Sequence, residues 1–388
     1  MQIGIPREIK PLEGRVALSP DACGDLVQTG HQVFVEHNAG KLSGYSDEHY
    51  EAAGATLAAT AEDTYGNAEL VVKVKEPVAG DLAHLQSHHR LFCFLHLAAA
   101  PDLAHSLQDI GLTGIAFETG EAEDHSLPLL APMSDIAGRL ATQIGSNLLH
   151  QPAGGKGLLL GGLPGAERGR VVVIGAGNAG GNAAAMAAAM GAEVTVFDLS
   201  RQRLAGMRQL GNNVTGLYPY KDAVRQAVAA ADLLVGAVLV TGGRSPHVVD
   251  RQMVASMAAG RVIVDISVDQ GGCIETTQPT TYEEPTYVAE GVVHLTVTNI
   301  PGAVPRSASQ ALSAALLPYV QQLAGSDWKL NAALQHGINV EAGQQAYRKA
   351  GYAQEDIAVC ESHAAATRAL ESGKKVVLQD ALLMMDLP

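Results

Sequence analysis

The chain has 388 residues, of which 47% are hydrophobic and 17% are charged, so it can bury a large core, and global disorder is excluded. A chain of this length is expected to form two domains. The 26 basic and 40 acidic residues give a net charge of −14, which excludes a sequence-independent grip on nucleic acid or on anionic membranes.

Short β-branched runs alternate with helical stretches in the first third of the chain, a pattern typical of a parallel sheet covered by helices. Continuous apolar runs of this kind indicate strands that are buried on both faces. Helices are predicted at 20–30 and 46–55. The predicted strands are QIGIP (2–6), HQVFVEH (31–37), ELVVKVK (69–75), LFCFLHL (91–97) and TGIAFE (113–118).

A predicted helix at 134–150, with Ser134 as its N-cap, separates this series from a second one. A glycine-rich loop follows the helix and leads into the second series. Its predicted strands are GRVVVIG (169–175), AEVTVFD (192–198), DLLVGAV (232–238), RVIVDIS (261–267) and VVHLTVTN (292–299). A long amphipathic helix at 307–324 then crosses back toward the first series.

This order of elements predicts an α/β fold with two doubly wound, Rossmann-like domains and a cleft between them. The first domain is discontinuous in sequence and comprises residues 1–130 and 306–388. We expect it to bind the substrate and to carry the catalytic groups. Residues 131–305 form the second, dinucleotide-binding domain.

The apolar runs are too short to span a membrane, since none approaches about 18 consecutive residues. The N-terminal sequence MQIGIPREIK lacks the basic-then-apolar layout of a secretory signal. The four cysteines form no CxxC pair, which indicates reduced thiols. We therefore expect a soluble, cytoplasmic protein.

The strongest local motif is GxGxxG, formed by Gly175, Gly177 and Gly180 between a predicted strand and a predicted helix. The first glycine permits a tight turn, the second lets the backbone approach a pyrophosphate, and the third allows close packing of helix on strand. The N-terminus of the helix offers free N–H groups to the phosphates. We therefore assign Asn178 and Ala179 to the same binding site.

Asp198 ends the next predicted strand, where a carboxylate can accept hydrogen bonds from both hydroxyls of a ribose. A negative charge there repels a 2′-phosphate, so NAD is favoured over NADP. The alternative is a doubly wound domain that binds no nucleotide, since a lone GxGxxG also marks ordinary turns. Strand, motif spacing and acid together favour NAD binding.

Four further polar residues lie at or just beyond the carboxyl ends of predicted strands: Lys75, His96, Asp269 and Asn299. Ligands of open α/β sheets bind outside these ends, so the four side chains can converge on one cleft. Each also has an ordinary interpretation. His96 can be a hydrogen-bonded core residue, Lys75 a solvated loop lysine, Asp269 a turn residue and Asn299 a cap.

Two other candidates are weaker. His84 and His88 stand four apart, but no third ligand has suitable spacing, so a solvated polar face is favoured and no metal is expected. Cys273 has no neighbouring base that could activate it. A small buried thiol is therefore the favoured interpretation of this residue.

Seven blocks together resemble the alanine dehydrogenase family, and the related pyridine nucleotide transhydrogenases share part of the pattern. They occur in order over roughly residues 1–325 and read IGIPREIKPLEGRVALSP, VVKVKEP, LHLA, PLLAPMSDIAGRLA, GGKG, IVDISVDQGGCIET and NIPGAVPRSAS. The resemblance implies oxidative deamination of L-alanine to pyruvate and ammonia, with hydride transfer to NAD, and the reverse reductive amination. It also implies a homohexamer.

The resemblance further implies roles for individual residues. Arg15 and Lys75 correspond to the residues that hold the substrate carboxylate, His96 to the acid–base histidine and Asp269 to the active-site aspartate. Asp269 either orients the imidazole or manages the proton of the attacking water. Positions that match dinucleotide contacts are Ser134, Asp198, Val238, Leu239, Ser267 and Asn299, with Arg203 toward the adenosine end.

The chain also departs from the family pattern. Tyr65 or a neighbour replaces a tryptophan before VVKVKEP, a serine is missing around LYPYKD, and the segment from about Gly351 has no counterpart. Two other functions stay open at this point. One is an NAD-binding module that passes hydride to a transhydrogenase partner, and the other is a dehydrogenase of a larger amino acid such as saccharopine.

Overall fold

The computed structural model describes residues 1–97, 100–240 and 244–345, together with the strands Ile357–Cys360 and Lys375–Leu378. The first of its two large sheets contains β1 (Gln2–Ile5), β2 (Gln32–Glu36), β3 (Thr56–Ala58), β4 (Leu70–Val72), β5 (Arg90–Cys93), β6 (Thr113–Ala116), β14 (Ile338–Glu341) and β15 (Gln344–Gln345). Their spatial order is β15-β14-β6-β5-β4-β1-β2-β3. The first six strands pair in parallel, and β14 runs antiparallel to β6.

The second sheet contains β7 (Arg170–Ile174), β8 (Glu193–Phe197), β9 (Val214–Leu217), β10 (Leu233–Gly236), β11 (Val262–Asp265), β12 (Thr286–Ala289) and β13 (Val292–Leu295). Their order is β12-β13-β11-β10-β7-β8-β9. All pairs are parallel except the edge pair of β12 with β13. The fold therefore consists of two doubly wound, Rossmann-like units. The strands Ile357–Cys360 (β16) and Lys375–Leu378 (β17) pair only with each other in the part of the chain that the structure describes.

Helices cover the faces of both sheets. They are α1 (Pro20–Gln28), α2 (Asp47–Ala52), α3 (Ala61–Gly66), α4 (Ala79–Leu82), α5 (Pro101–Ile110), α6 (Ala131–Leu148), α7 (Asn178–Ala189), α8 (Arg201–Arg208), α9 (Lys221–Ala230), α10 (Arg251–Ala255), α11 (Pro305–Leu323) and α12 (Ala332–Gly337). None of the helices in the described ranges is both long and apolar enough to cross a membrane.

Two long helices connect the halves of the molecule. On α6, Gly138 lies so close to α7 that a Cβ atom there would be 2.0 Å from the carbonyl oxygen of Ala179, and Ile136 packs against the cores of both sheets. The buried face of α11 joins the core of the first sheet, and its Ser309 donates or accepts a 2.8 Å hydrogen bond with Ser43. These contacts fix the two sheets around a common cleft.

Every strand predicted from sequence is present, but β4, β5 and β13 end three or four residues earlier than predicted, so Asn299 also lies beyond its strand. The N–H groups of Val74 and His96 bond to the carboxylates of Glu8 and Glu118 instead of a neighbouring strand. A backbone bond from the N–H of Phe94 to the carbonyl of Val74 still joins the two segments beyond the strand ends, and Lys75 and His96 lie in the loops that follow. The short strands β3, β9, β12 and β14 were missed because three are sheet edges, the fourth lies next to an edge, and all have weak apolar patterns.

The prediction that Ser134 caps a helix was wrong. Helix α6 begins at Ala131, with Leu130 at the N-cap and Pro132 in the first turn. Proline suits this place because the first N–H groups of a helix have no partner within it. The proposed domain limits at 130/131 and 305/306 stay a prediction, and most of the segment after residue 345 lies outside the described residues.

Candidate active site

A cleft of about 1350 Å³ opens at the carboxyl ends of strands from both sheets. It brings together all the predicted site residues except Gly180. Those that line it are Arg15, Lys75, His96, Ser134, Gly175, Gly177, Asn178, Ala179, Asp198, Arg203, Val238, Leu239, Ser267, Asp269 and Asn299. Residues that are up to 284 positions apart in sequence, Arg15 and Asn299, are in direct contact there.

The glycine-rich turn between β7 and α7 has the geometry that its sequence predicts. Gly175 has φ +97°, and Gly180 lies so close to it that an added Cβ would be 1.7 Å from the Gly175 carbonyl oxygen. Gly177 has open space where a Cβ would be, and it precedes α7 without a side-chain cap. The backbone is therefore exposed at a helix N-terminus, which is the arrangement that receives a pyrophosphate.

Asp198 is held rigidly beside this turn. Its Oδ2 accepts a 2.7 Å bond from the N–H of Ala176, and its Oδ1 accepts a 2.7 Å bond from the N–H of Ser200. The Nη1 of Arg203 lies 3.8 Å from Oδ2. Because a carboxylate has about four acceptor positions, Asp198 keeps lone pairs that can accept from a ribose.

The loops after β10 and β11 complete this side of the cleft. Buried Asp265 gathers the second loop through bonds from the N–H groups of Ser267 (2.9 Å) and Cys273 (2.9 Å) and from the hydroxyl of Thr277 (3.1 Å). Burial raises the pKa of Asp265, and these donors oppose the shift. Sequence analysis missed Asp265 because it lies within a predicted strand.

Arg15 is 3% exposed and is already engaged by protein groups. Its Nε and Nη2 donate to the two carboxylate oxygens of Glu13 at 2.7 and 2.6 Å, and Nη2 also donates to Asn299 Oδ1 at 2.8 Å. Asn299 Nδ2 in turn donates to Glu13 Oε2 at 2.9 Å. Only Nη1, which contacts Met133 Sδ at 3.2 Å, is left for a ligand, so Arg15 cannot offer its whole fork to a substrate in this arrangement.

Glu13 is charged in this contact. Burial by itself would raise the pKa of Glu13, but the hydrogen bonds and charge of Arg15 outweigh burial and lower it. The pair therefore adds little net charge to the cleft. Because Asn299 follows β13 and Arg15 follows β1, the three side chains also join the two sheets.

The two lysines of the VVKVKEP block have different environments. Lys73 is fully buried away from the cleft, where its Nζ contacts Glu8 at 3.3 Å and Asp81 at 3.1 Å. Lys75 lines the cleft with its Nζ 3.8 Å from a carboxylate oxygen of Glu76. Burial lowers the pKa of Lys75, and the Glu76 charge opposes this shift.

His96 lies in the loop after β5 with φ +49°, a left-handed conformation that is uncommon for a residue with a Cβ. Its ring is parallel to that of Phe94, with centroids 5.6 Å apart. Asp269 faces it from the turn Val268–Gln270 that follows β11. Burial raises the pKa of Asp269, while the charges of His96 and Lys75 oppose that shift.

Several cleft residues were missed by sequence analysis. Glu13 and Met133 belong to quoted blocks but match no chemical motif. Glu118 follows β6 and ends the predicted strand TGIAFE, so the strand-end rule that found His96 would also have found it. Phe94 lies in the apolar run LFCFLHL and has the sequence pattern of an ordinary core residue.

The weaker candidates lie elsewhere. His84 stacks on Tyr65 with centroids 5.6 Å apart, and His88 contacts His89. The described residues contain no group of three or more side chains arranged to hold a metal ion. Cys273 is buried, and burial raises the pKa of its thiol well above the usual range, so it is not a nucleophile.

The sequence matches two family models. The model described as "Alanine dehydrogenase/PNT, N-terminal domain" matches residues 4–137, and the corresponding C-terminal domain model matches residues 141–348. Alanine dehydrogenase of Halomonas elongata is 47% identical over 354 residues, which are 90% of this chain and 95% of that protein. Alanine dehydrogenase of Bacillus subtilis is 46% identical over 89% of this chain and 93% of its own length.

Solved structures give the same result. A structure of L-alanine dehydrogenase superposes with a TM-score of 0.85 at 48% identity and covers 89% of this chain and 97% of the other. A transhydrogenase from Sinorhizobium meliloti has a TM-score of 0.77 at 24% identity, covering 89% of this chain and 99% of its own. At that identity the second likeness shows a shared fold.

Proposed function

The chain belongs to the alanine dehydrogenase/pyridine nucleotide transhydrogenase family, and we propose that it converts L-alanine, NAD⁺ and water reversibly into pyruvate, ammonium, NADH and a proton. The observation that carries this proposal is the meeting of Arg15, Lys75, His96 and Asp269 in one cleft with the glycine-rich turn. A protein that only binds a dinucleotide has no need of a second, charged subsite.

The residues present fit NAD. The open backbone at Gly177 and the start of α7 receive the pyrophosphate, and Asp198 accepts from the adenosine ribose. Ser134, Ser267 and the Val238–Leu239 backbone line the path to the substrate end, and Arg203 lies toward the adenosine. When bound, NAD supplies the hydride acceptor at nicotinamide C4.

The substrate carboxylate is held by Lys75 and by the Nη1 of Arg15. Each cation already has a carboxylate neighbour, Glu76 and Glu13 respectively, so the charge of each donor is balanced and the two donors are preorganised. Arg15 thus contributes one nitrogen rather than a two-bond clamp, because its other nitrogens are engaged by Glu13 and Asn299. Holding the carboxylate fixes Cα so that its hydrogen faces the nicotinamide.

His96 moves the protons of the reaction. After hydride loss, the imine of pyruvate adds water and then releases ammonia. His96 takes the proton from the attacking water and returns it to the departing nitrogen, since histidine exchanges protons near neutral pH. Asp269 faces the imidazole across the cleft and balances its positive form electrostatically.

The test is a substrate panel with purified protein and both nicotinamide cofactors. L-Alanine with NAD should produce the NADH absorbance, and pyruvate with ammonium should consume it. Turnover of a larger amino acid such as saccharopine, without turnover of L-alanine, would refute the substrate assignment. Absence of any amino-acid-dependent signal would favour the transhydrogenase-type module instead.

We also propose a cytoplasmic homohexamer, on the strength of family membership alone. Light scattering coupled to gel filtration tests the assembly. A mass of six times 40.3 kDa is expected, and a monomer would contradict it.

A further inference from the structure

Glu118 is a buried carboxylate whose side-chain hydrogen bonds, within the described ranges, go to the backbone of the His96 loop. It is 8% exposed and follows β6, the neighbour of β5. Its Oε1 accepts a 2.6 Å bond from the backbone N–H of His96, and both of its oxygens lie 3.3 Å from the N–H of Leu95. An ionised carboxylate suits these donors because it only accepts hydrogen bonds.

The shortest of these bonds is made at His96, whose backbone conformation is unfavourable without support. The left-handed conformation of His96 is unfavourable for a residue with a Cβ and persists only where its surroundings enforce it. Glu118 provides that enforcement through the His96 N–H. The parallel ring of Phe94 fixes the imidazole from a second side.

The same carboxylate lies beside the imidazole. Glu118 Oε1 is 4.0 Å from His96 Nδ1. The other charged groups that act on this part of the cleft are Lys75 and Glu76 from the turn after β4 and Asp269 from the second sheet. Glu118 therefore places its carboxylate beside the imidazole at the same place where it fixes the backbone.

We propose that Glu118 is a positioning residue for His96, one that enforces its left-handed turn and places a negative charge beside its ring. The inference rests on the proposed acid–base role of His96. Glu118 does not contact Lys75 or Arg15, the two residues that hold the substrate carboxylate. Its effect therefore falls on turnover and on pH dependence rather than on binding of L-alanine.

Two variants separate the effect of the Glu118 charge from the effect of its position. Glu118→Gln keeps the shape and an accepting oxygen but removes the charge, so the acidic limb of the kcat/KM profile should move by about one pH unit toward lower pH. Glu118→Asp keeps the charge but shortens the reach, so kcat should fall roughly tenfold or more with little change in KM for L-alanine. Circular dichroism and thermal melting establish that both variants are folded.

A matched control is Glu36→Gln. Glu36 is also a buried carboxylate at a strand end, and it accepts a 2.9 Å bond from the N–H of Arg7, but it does not line the cleft. Its profile should coincide with that of the wild type. An unmoved acidic limb in Glu118→Gln, or a normal kcat in Glu118→Asp, overturns the inference.

His96→Ala distinguishes this failure from failure of the proposed function. If His96→Ala is inactive while the Glu118 variants behave as the wild type, the Glu118 inference is wrong and the role of His96 stands. If His96→Ala retains near-normal turnover, the acid–base assignment itself is wrong.

Discussion

The two ends of the cleft are built by different means. The dinucleotide end consists mainly of backbone: a left-handed Gly175, an open Gly177 and the start of α7, all within one continuous turn. The substrate end consists of side chains from loops on both sheets, and each of its cations has a carboxylate partner. The first depends on local steric fit, whereas the second depends on long-range packing and balanced charge.

Because of this difference, we expect substitutions at the two ends to have different effects. At the dinucleotide end a single added methyl group obstructs the backbone, and cofactor affinity should fall. At the substrate end the loss of a functional group changes chemistry or orientation, and cofactor affinity should persist. Measurements of NADH binding beside kcat and KM therefore separate the two.

The largest effect is expected from His96→Ala at the substrate end. Removal of a positioned acid–base group lowers kcat by roughly 10² to 10⁴-fold. The dissociation constant of NADH, measured by its fluorescence, should change less than about twofold because His96 lies outside the glycine-rich turn. A parallel loss of NADH binding would show that the two ends are not separable.

Next comes Gly180→Ala at the dinucleotide end. The added Cβ would meet the Gly175 carbonyl oxygen at 1.7 Å, and overpacking of this kind costs about 1–3 kcal/mol. If the turn shifts to accommodate it, NADH affinity falls roughly tenfold to a hundredfold. Gly206→Ala is the matched control, since it places the same methyl group in open space on α8 and should leave NADH binding unchanged.

The contrast also explains what could be predicted from sequence. The glycine-rich turn and Asp198 were identified from one continuous motif, because the residues of a site built from backbone lie close together in the sequence. The strand-end rule correctly placed Lys75, His96, Asp269 and Asn299 in one cleft. It could not show that the N–H groups of Val74 and His96, just beyond β4 and β5, bond to carboxylates, because those carboxylates, Glu8 and Glu118, come from distant segments.

The pairing of Arg15 with Glu13 was equally inaccessible. The two residues are close in sequence, yet nothing in EGR shows that the Glu13 carboxylate accepts bonds from both Nε and Nη2 of the guanidinium. That fact depends on how a buried loop folds. The helix start at Ala131 rather than Ser134 is a smaller case of the same kind, where a proline outweighed a cap signal.

A smaller effect is expected at Asp198, to which we assign the choice between NAD and NADP. Asp198→Asn is preferable to Asp198→Ala because the asparagine keeps one accepting oxygen, which serves the N–H of either Ala176 or Ser200, and loses only one of the two bonds to its NH2 group. Loss of the charge removes the repulsion of a 2′-phosphate and weakens the ribose contact. The preference for NAD over NADP in kcat/KM should fall roughly tenfold, and an unchanged ratio would refute the ribose contact.

The smallest effect is expected from Glu13→Gln, which tests whether preorganisation of Arg15 matters. The amide nitrogen of glutamine is a donor and faces another donor on the guanidinium, so one of the two bonds from Arg15 is lost. Arg15 then has more freedom, and its Nη1 is directed less well at the substrate carboxylate. KM for L-alanine should rise about threefold to tenfold, with a smaller change in kcat.

The opposite outcome for Glu13→Gln has a clear meaning. Without the Glu13 charge, Arg15 is an unpaired buried cation, and a substrate carboxylate would neutralise it. If this attraction outweighs the loss of orientation, KM for L-alanine falls below the wild-type value. Binding of pyruvate to the protein with and without NADH decides between the two, because it reports carboxylate affinity independently of turnover. A lower KM would mean that charge balance, rather than preorganisation, limits substrate binding at this end of the cleft.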